Sequence, residues 1–400
     1  REQVKIRDIA LRRIIDSRGN PTVEAEIKTK NGFGRAAAPA GASTGAHEAV
    51  AWPEGSVSKG IKVAEERIMP QLVGLSTENQ ENFDNTLREI DGTDNFSKVG
   101  GNITVALSLA CAKAAADSKG ICLYKHIGKS DSYALPAPMS NVLGGGAHAV
   151  GGTDIQEFLV TSFDDDINSA IEANAAVHKK IGGMLKQKFP NIALGKGDEG
   201  AWVAPMGNVE ALELVIKATE KVEEDIGIEI RPGLDMAASE FYHDGKYRYK
   251  EQTLTPEKQV EFVLGLIEEY DLYSIEDPLD QDDFESWTAL TEQTDALVIG
   301  DDLYVTNAER LQKGIDLGAT NSILIKPNQI GTLTDTIKTV NLAKKADMAT
   351  IISHRSGETT DSTIAHLGVA FESHAIKTGI MGGERIAKLN ELVRISEKLK

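Results

Sequence analysis

Five polar residues stand at the ends of short apolar runs in the second half of the sequence, and their side chains could carry acid–base and metal chemistry. They are Glu276, Asp301, Lys326, His354 and Lys377, separated by 25, 25, 28 and 23 residues. Such steps suit a repeated strand–helix unit. In a (β/α) barrel the side chains at the C-terminal strand ends converge on one mouth. The spacing therefore predicts that these groups face one another.

Asp235, Glu276 and Asp301 would place three carboxylates at this mouth. Each close pair repels by roughly 1 kcal/mol in water and by several in a partly dry cleft. A divalent cation removes the conflict, and oxygen-only ligands favour a hard ion, magnesium or manganese. The alternative is that each acid only caps a helix or pairs with a surface lysine. That alternative explains a single acid at a strand end better than it explains three acids at successive strand ends.

Lys326 is the candidate base at the next strand end. A free lysine has a pKa of about 10.4 and is protonated at neutral pH. Metal ions, a second cation at Lys377 and partial burial would all lower the pKa of Lys326. If Lys326 is not the base, its side chain binds a phosphate group or only extends into solvent.

The formal charge of -18 repels nucleic acids and anionic membrane surfaces, so an anionic substrate needs a local cationic site. The turn at 353–359 brings together His354, Arg355 and Ser356. These side chains and the free backbone N–H groups of the turn could bind a phosphate. His-Arg-Ser turns also occur as simple caps.

Two more carboxylates, Glu157 and Glu199, lie in the same half of the chain. A carboxyl kept protonated by burial or by a like-charged neighbour can donate a proton to a leaving oxygen. The glycine turn that precedes His148 is either a plain connection or a lid.

The elements that must position these groups are strands alternating with helices, which predict an α/β fold with a parallel sheet buried on both faces. The number of units favours closure into a (β/α)8-type barrel over a doubly wound open sheet. Upstream, the runs at 9–15, 22–27 and 33–39 predict an antiparallel meander, followed by helices that include one at 103–117. The prolines at 136 and 138 suggest a boundary between an α+β capping domain, 1–135, and a catalytic barrel domain, 136–400.

Composition agrees with a two-domain protein of 400 residues. The longest mainly apolar run, at 106–116, is far short of the roughly 20 residues that span a bilayer, so no membrane span is expected. The two cysteines, Cys111 and Cys122, suggest neither a disulfide framework nor a metal site. A cytoplasmic location fits best.

Seven blocks, spread over nearly the whole chain, resemble the enolase family and occur in the family's order. They are 16–24 (DSRGNPTVE), 41–45 (GASTG), 156–158 (QEF), 197–200 (GDEG), 274–278 (SIEDP), 300–302 (GDD) and 353–359 (SHRSGET). The resemblance implies a lyase that reversibly dehydrates 2-phosphoglycerate to phosphoenolpyruvate in glycolysis and gluconeogenesis.

The resemblance also implies a role for each matching residue. Asp235, Glu276 and Asp301 would bind a first magnesium ion, and Ser43, on a lid, would reach a second. Lys326 would take the C2 proton and Glu199 would protonate the departing C3 hydroxyl.

The remaining roles concern the substrate and the assembly. Glu157 and His148 would assist Glu199, and His354 would position the substrate. Arg355 and Ser356 would bind the phosphate and Lys377 the carboxylate. The full set of implied substrate-binding residues is Ser43, His148, Gln156, Glu157, Glu276, Asp301, Lys326, Arg355, Ser356 and Lys377. Glu24 and Arg394 match positions that pair across the family's dimer interface, so at least a homodimer is expected.

Two departures from the family pattern lie near the site. The segment 51–55 after Glu48 replaces the usual continuation, and Ala201 and Trp202 follow Gly200 in place of a glycine and a small aromatic residue. Two alternatives remain open: another dehydratase or racemase of the enolase superfamily, against which the phosphate site argues, and a non-enzymatic relative, against which the retained acids and Lys326 argue.

Overall fold

The chain begins with a three-stranded antiparallel sheet. The computed structural model describes residues 1–42 and 44–400. Strands β1 (Asp8–Ile15), β2 (Pro21–Lys28) and β3 (Phe33–Ala37) pair in that order. Val23, Ala25 and Ile27 alternate along β2 and are fully buried, because side chains of one face recur every second residue. The predicted meander is confirmed.

Five α-helices follow the sheet: α1 (Val57–Val63), α2 (Met69–Leu72), α3 (Gln80–Asp91), α4 (Gly101–Lys119) and α5 (Leu123–Gly128). A π-helical turn, Ala64–Ile68, joins the first two. Helix α4 is buried along most of its length, and its many alanines allow a close approach to β2 and β3. It contains the helix that the sequence predicted.

Eight strands then form a barrel, which closes where its last strand pairs with its first. They are β4 (Ala137–Gly144), β5 (Glu157–Phe163), β6 (Glu229–Asp235), β7 (Ser274–Glu276), β8 (Leu297–Gly300), β9 (Ser322–Ile325), β10 (Ala349–Ser353) and β11 (Ala375–Lys377). Buried apolar side chains such as Met139, Leu159 and Ile351 pack together as a separate cluster of the core.

Eight helices accompany the barrel: α6 (Ile167–Lys188), α7 (Asn208–Ile226), α8 (Pro256–Tyr270), α9 (Phe284–Thr291), α10 (Ala308–Leu317), α11 (Leu333–Lys345), α12 (Thr363–Ala370) and α13 (Gly383–Leu399). Helix α8 begins as its sequence indicates, because Thr255 caps it by accepting from the Lys258 N–H. The predicted barrel with an N-terminal α+β domain is confirmed. No helix in the described ranges is both long and apolar enough to cross a membrane.

One barrel strand differs from the expected parallel sheet. Strand β5 runs antiparallel to both of its neighbours, β4 and β6. The segment between β4 and β5 holds only a short 3-10 turn, Gly146–His148, and no α-helix. Without a crossover helix the chain reverses as a hairpin. The first residue of β5, Glu157, is therefore paired with Asp235, the last residue of β6.

Several side chains bind the N-terminal domain to the barrel beside the mouth. The Arg88 guanidinium lies 2.7 Å from the Asp335 carboxylate. Asp84 accepts from the backbone N–H of Thr334, and Asn328 donates to Asn102 at 3.1 Å. These contacts join the N-terminal domain to the segment that follows β9 and to the start of α11.

We expect Gly34→Ala to destabilise the fold and Gly265→Ala to leave it intact. A Cβ at Gly34 would lie 2.0 Å from the Ala110 carbonyl oxygen on α4, whereas nothing lies within 4 Å of a Cβ at Gly265 in α8. The first change should lower the free energy of unfolding by about 1–3 kcal/mol, and the second should raise it by up to about 1 kcal/mol. Chemical denaturation checks both, and equal stability of the two variants would contradict the close packing of β3 on α4.

Candidate active site

The barrel brings the strand-end residues together as the spacing predicted. Asp235, Glu276 and Lys377 are the last residues of β6, β7 and β11. Asp301 and Lys326 directly follow β8 and β9. A single pocket is lined by most of the candidate residues: His148, Gln156, Glu157, Glu199, Asp235, Asp301, Lys326, His354, Arg355, Ser356 and Lys377.

The Lys377 ammonium lies at the centre of a buried acidic cluster. Its Nζ is 2.9 Å from Glu157 Oε2, 3.1 Å from Asp235 Oδ2 and 2.9 Å from Glu276 Oε1. Burial opposes the charged form of Lys377, yet the Asp235, Glu157 and Glu276 charges hold its pKa well above the usual range. Burial and the Asp235 charge raise the pKa of Glu276. Three carboxyl groups thus share the single positive charge of Lys377, and their mutual repulsion favours the neutral form of Glu276.

A group of oxygen donors beside this cluster could hold a metal ion. Glu276, Asp277 and Asp301 are all buried, and each offers an oxygen within 4.8 Å of the others. Asp235 adjoins them, because Lys377 lies 3.1 Å from Asp235 Oδ2 and 2.9 Å from Glu276 Oε1. Asp277, which the sequence analysis did not assign, also accepts from the backbone N–H groups of Asp301 and Asp302. An all-oxygen donor set fits a hard cation such as magnesium.

Lys326 lies next to this oxygen group. Its Nζ is 2.7 Å from Asp301 Oδ2, and Gln329 donates to the other oxygen of Asp301 at 2.9 Å. Burial lowers the pKa of Lys326, but the Asp301 carboxylate raises it above its usual value. The sequence analysis expected metal ions, Lys377 and partial burial to lower this pKa, but among the protein groups the Asp301 ion pair outweighs burial and Lys377. A cation shared by Asp301 would weaken the interaction that raises this pKa.

Glu199 is held between two histidines. It lies in the turn between the short strands Gly195–Lys196 and Trp202–Val203. Its Oε1 is 3.3 Å from His354 Nε2, and its Oε2 is 3.6 Å from His148 Nε2. Trp202, at which the sequence departs from the family pattern, donates from its indole N–H to the His178 carbonyl and stacks on the His178 ring. Glu199 still faces the pocket.

The two carboxylates Glu157 and Glu199 form a coupled pair. Burial opposes the charged form of Glu199, but His148 and His354 hold its pKa well below the usual range. Burial and the Glu199 charge raise the pKa of Glu157 well above the usual range of a glutamate. The Oε1 of Glu157 is buried and has no hydrogen-bond partner among the described residues. The pair therefore favours a charged Glu199 beside a protonated Glu157.

Arg355 and Ser356 lie together on the turn after β10. Arg355 forms two hydrogen bonds to Glu48, at 2.8 and 3.1 Å, and one to Asn328 at 3.0 Å. A Cβ at Gly41 would lie 2.1 Å from the Arg355 guanidinium, so a side chain there would displace the guanidinium. Ser356 accepts from the Ala42 backbone N–H. Gly41, Ala42 and Glu48 thus lie against this turn, where Glu48 balances the charge of Arg355.

Besides Asp277, sequence reasoning missed Glu48 and Arg385 at this site. Glu48 accepts from the Gly45 N–H three residues earlier, at 2.6 Å, and that spacing resembles a capping pair and was the only available signal. Arg385 comes from α13 and donates to His354 and to several carbonyls. No local pattern indicates it.

The structure describes all but one of the other residues that the sequence analysis named. His148 ends the Gly146–His148 turn and Gln156 precedes β5, and both are buried. Ser43 lies outside the described residues. Glu24 binds Arg12 at 2.7 Å, and Arg394 binds Glu391 at 3.1 Å, within the same chain.

Comparisons with known proteins agree with this geometry over nearly the whole chain. The family model described as "Enolase, N-terminal domain" matches residues 6–127, and "Enolase, C-terminal TIM barrel domain" matches residues 132–400. The chain is 50% identical to an enolase of Methanothermobacter thermautotrophicus, covering 98% of this chain and 97% of that protein.

Two further archaeal relatives give the same result. An enolase of Halorubrum lacusprofundi is 51% identical, covering 98% of this chain and 99% of that protein. An enolase of Picrophilus torridus is 44% identical, covering 99% of both chains. With both family models matched and half of all positions shared along its full length, the chain belongs to the enolase family.

Proposed function

We propose that this chain catalyses the reversible dehydration of 2-phosphoglycerate to phosphoenolpyruvate, as a hydro-lyase of glycolysis and gluconeogenesis. The observation that carries the proposal is the content of one buried pocket. It combines an acidic cluster, a lysine beside that cluster, and a carboxyl pair between two histidines. Removal of a proton and of a hydroxyl from adjacent carbons needs a base, an acid and stabilisation of the charge that develops between the two steps.

Substrate binding would use the cations of the pocket. Arg355 and Ser356 would hold the phosphate, since a guanidinium and a hydroxyl match its oxygens. Lys377, 3% exposed and already surrounded by acids, would face the substrate carboxylate. This phosphate corner favours a phosphorylated substrate over the carboxylates used by racemases and acid-sugar dehydratases of the superfamily.

Two magnesium ions are proposed as cofactors. Asp235, Glu276 and Asp301 would hold the first, with Asp277 close by, and Ser43 would reach the second. The buried oxygen donors support this choice because their mutual repulsion calls for a divalent cation. When bound, the ions neutralise the charge that the substrate carboxylate gains as the C2 proton leaves.

Proton transfer would be divided between the two sides of the pocket. Lys326 would take the C2 proton on its Nζ. Glu199 would give a proton to the C3 hydroxyl, which leaves as water while the C2–C3 double bond forms. Glu157, whose pKa burial raises, would hold that proton next to Glu199, and His148 and His354 would keep Glu199 in place.

The domain boundary, the cellular location and the oligomeric state are proposed together with the reaction. A domain boundary between 135 and 136 is supported by the start of the barrel at Ala137 and by the limits of the two family matches. A cytoplasmic location is supported by Cys111 and Cys122, which are both free thiols. A homodimer or larger assembly is proposed from the match of Glu24 and Arg394 to the family's interface positions.

The reaction should depend on a divalent metal. Purified protein should form phosphoenolpyruvate, followed by its ultraviolet absorbance, with magnesium and not with excess chelator. Calorimetric titration with magnesium alone should show binding that Glu276→Gln weakens at least about tenfold, since a charged oxygen ligand is lost. A folded wild-type sample that forms product in chelator would refute the metal requirement.

Two variants should distinguish the role of the base from the role of the acid. Lys326→Ala should abolish the exchange of the C2 proton with deuterated solvent, because no other base replaces it. Glu199→Gln should slow dehydration by about 100-fold or more and still allow exchange. Exchange is measured by NMR and dehydration by absorbance. If exchange fell equally in both variants, the assignment of base and acid would be wrong.

The oligomer should depend on Arg394. Wild-type protein should sediment at twice the chain mass or more, and Arg394→Glu should weaken that association at least about tenfold by charge reversal at the interface. Lys221→Glu, an exposed charge reversal on α7, is the matched control and should sediment as wild type. A wild-type monomer at micromolar concentration would contradict the proposal.

A further inference from the structure

Arg385, in the first turn of α13, is a buried guanidinium that the proposed chemistry does not use. Its side chain is 0% exposed. Its five N–H donors have five acceptors: the carbonyl oxygens of Arg355 (2.5 Å), Ser356 (2.6 Å) and Asp198 (3.0 Å), His354 Nδ1 (2.8 Å), and Glu384 Oε1 (3.2 Å). A guanidinium carries five donors, so the whole fork is satisfied.

The contact with His354 fixes the position of a proton. A guanidinium only donates, so the Nδ1 of His354 must accept. Burial lowers the pKa of His354 to about 3, so the ring is neutral near pH 7 and carries one proton. That proton is therefore on Nε2, the atom that lies 3.3 Å from Glu199 Oε1.

Arg385 also binds the backbone directly before Glu199. Its Nη2 binds the carbonyl of Asp198, the preceding residue. A Cβ at Gly379 would lie 2.4 Å from the Glu199 carbonyl oxygen and 3.2 Å from the Arg385 Cγ, so no side chain fits between them. One arginine thus holds both the peptide of Glu199 and the imidazole that faces its carboxylate.

We propose that Arg385 is a positioning residue for the dehydration half of the reaction. It fixes His354 as the tautomer protonated at Nε2, which lies 3.3 Å from Glu199 Oε1, and it holds Glu199 where the C3 hydroxyl departs. It acts on the dehydration step through these two residues, also binds the carbonyls of Arg355 and Ser356, and touches no reacting atom. The inference rests on the proposed function, because it specifies how the proposed acid is held.

Lys388, three residues further along α13, provides the matched comparison. It is 1% exposed and pairs with Glu358 at 3.1 Å. Its other hydrogen bonds in the described part of the chain go to the carbonyls of Thr359, Asp361 and Glu384. It is a buried cation on the same helix that binds the far part of the turn.

The test compares C2 exchange with dehydration in Arg385→Lys and Lys388→Met. A lysine side chain keeps the positive charge but cannot supply the five N–H donors in the planar arrangement of a guanidinium. In Arg385→Lys, formation of phosphoenolpyruvate at saturating substrate should fall about 100-fold, and exchange at saturating substrate should stay within about threefold of wild type. Lys388→Met should keep the wild-type ratio of the two rates even if it lowers stability. An equal fall of both rates in Arg385→Lys would overturn the proposal.

A second measurement needs neither a variant nor activity. Nitrogen-15 NMR of histidine-labelled wild-type protein, assigned with His354→Gln, should show His354 with an unprotonated Nδ1 and a protonated Nε2 at neutral pH. A protonated Nδ1 would overturn the tautomer assignment and with it the proposal. If the wild-type protein formed no phosphoenolpyruvate, the proposed function would fail, and this spectrum would still decide the tautomer.

Discussion

The concentration of buried negative charge at the barrel mouth is the constraint on which the rest of the site depends. Glu157, Asp235 and Glu276 all lie within about one hydrogen bond of the Lys377 ammonium, and Asp301 is paired with Lys326. Desolvated like charges repel strongly, so such a cluster persists only where cations lie among its members. The stability of this cluster and the divalent-ion binding proposed for it therefore have the same electrostatic origin.

Much of the fold could be predicted because it depends on local periodicity. The meander followed from alternating patterns around β1–β3, and the barrel units followed from the regular spacing of Glu276, Asp301, Lys326, His354 and Lys377. The reversed direction of β5 was not predicted, because its sequence is as apolar as that of a parallel strand. Only the length and content of the segment before it distinguish a hairpin from a crossover.

The candidate site divides in the same way. Residues at strand ends could be found from their place in the repeat, whereas residues that arrive from elsewhere could not. Glu48 comes from the N-terminal domain and Arg385 from the last helix, and both reach the His354–Ser356 turn across long separations in sequence. The pKa of Lys326 also depends on a contact, the Asp301 ion pair, that spacing alone does not disclose.

Closure of the barrel between β4 and β11 has a consequence for synthesis of the chain. Lys377, on the last strand, binds Glu157, Asp235 and Glu276 across sequence separations of 220, 142 and 101 residues. A nascent chain on the ribosome makes all three acids long before their common counter-ion emerges. The mouth of the barrel cannot settle into its final form until β11 has emerged, so the domain is built to fold as one late, cooperative event rather than strand by strand.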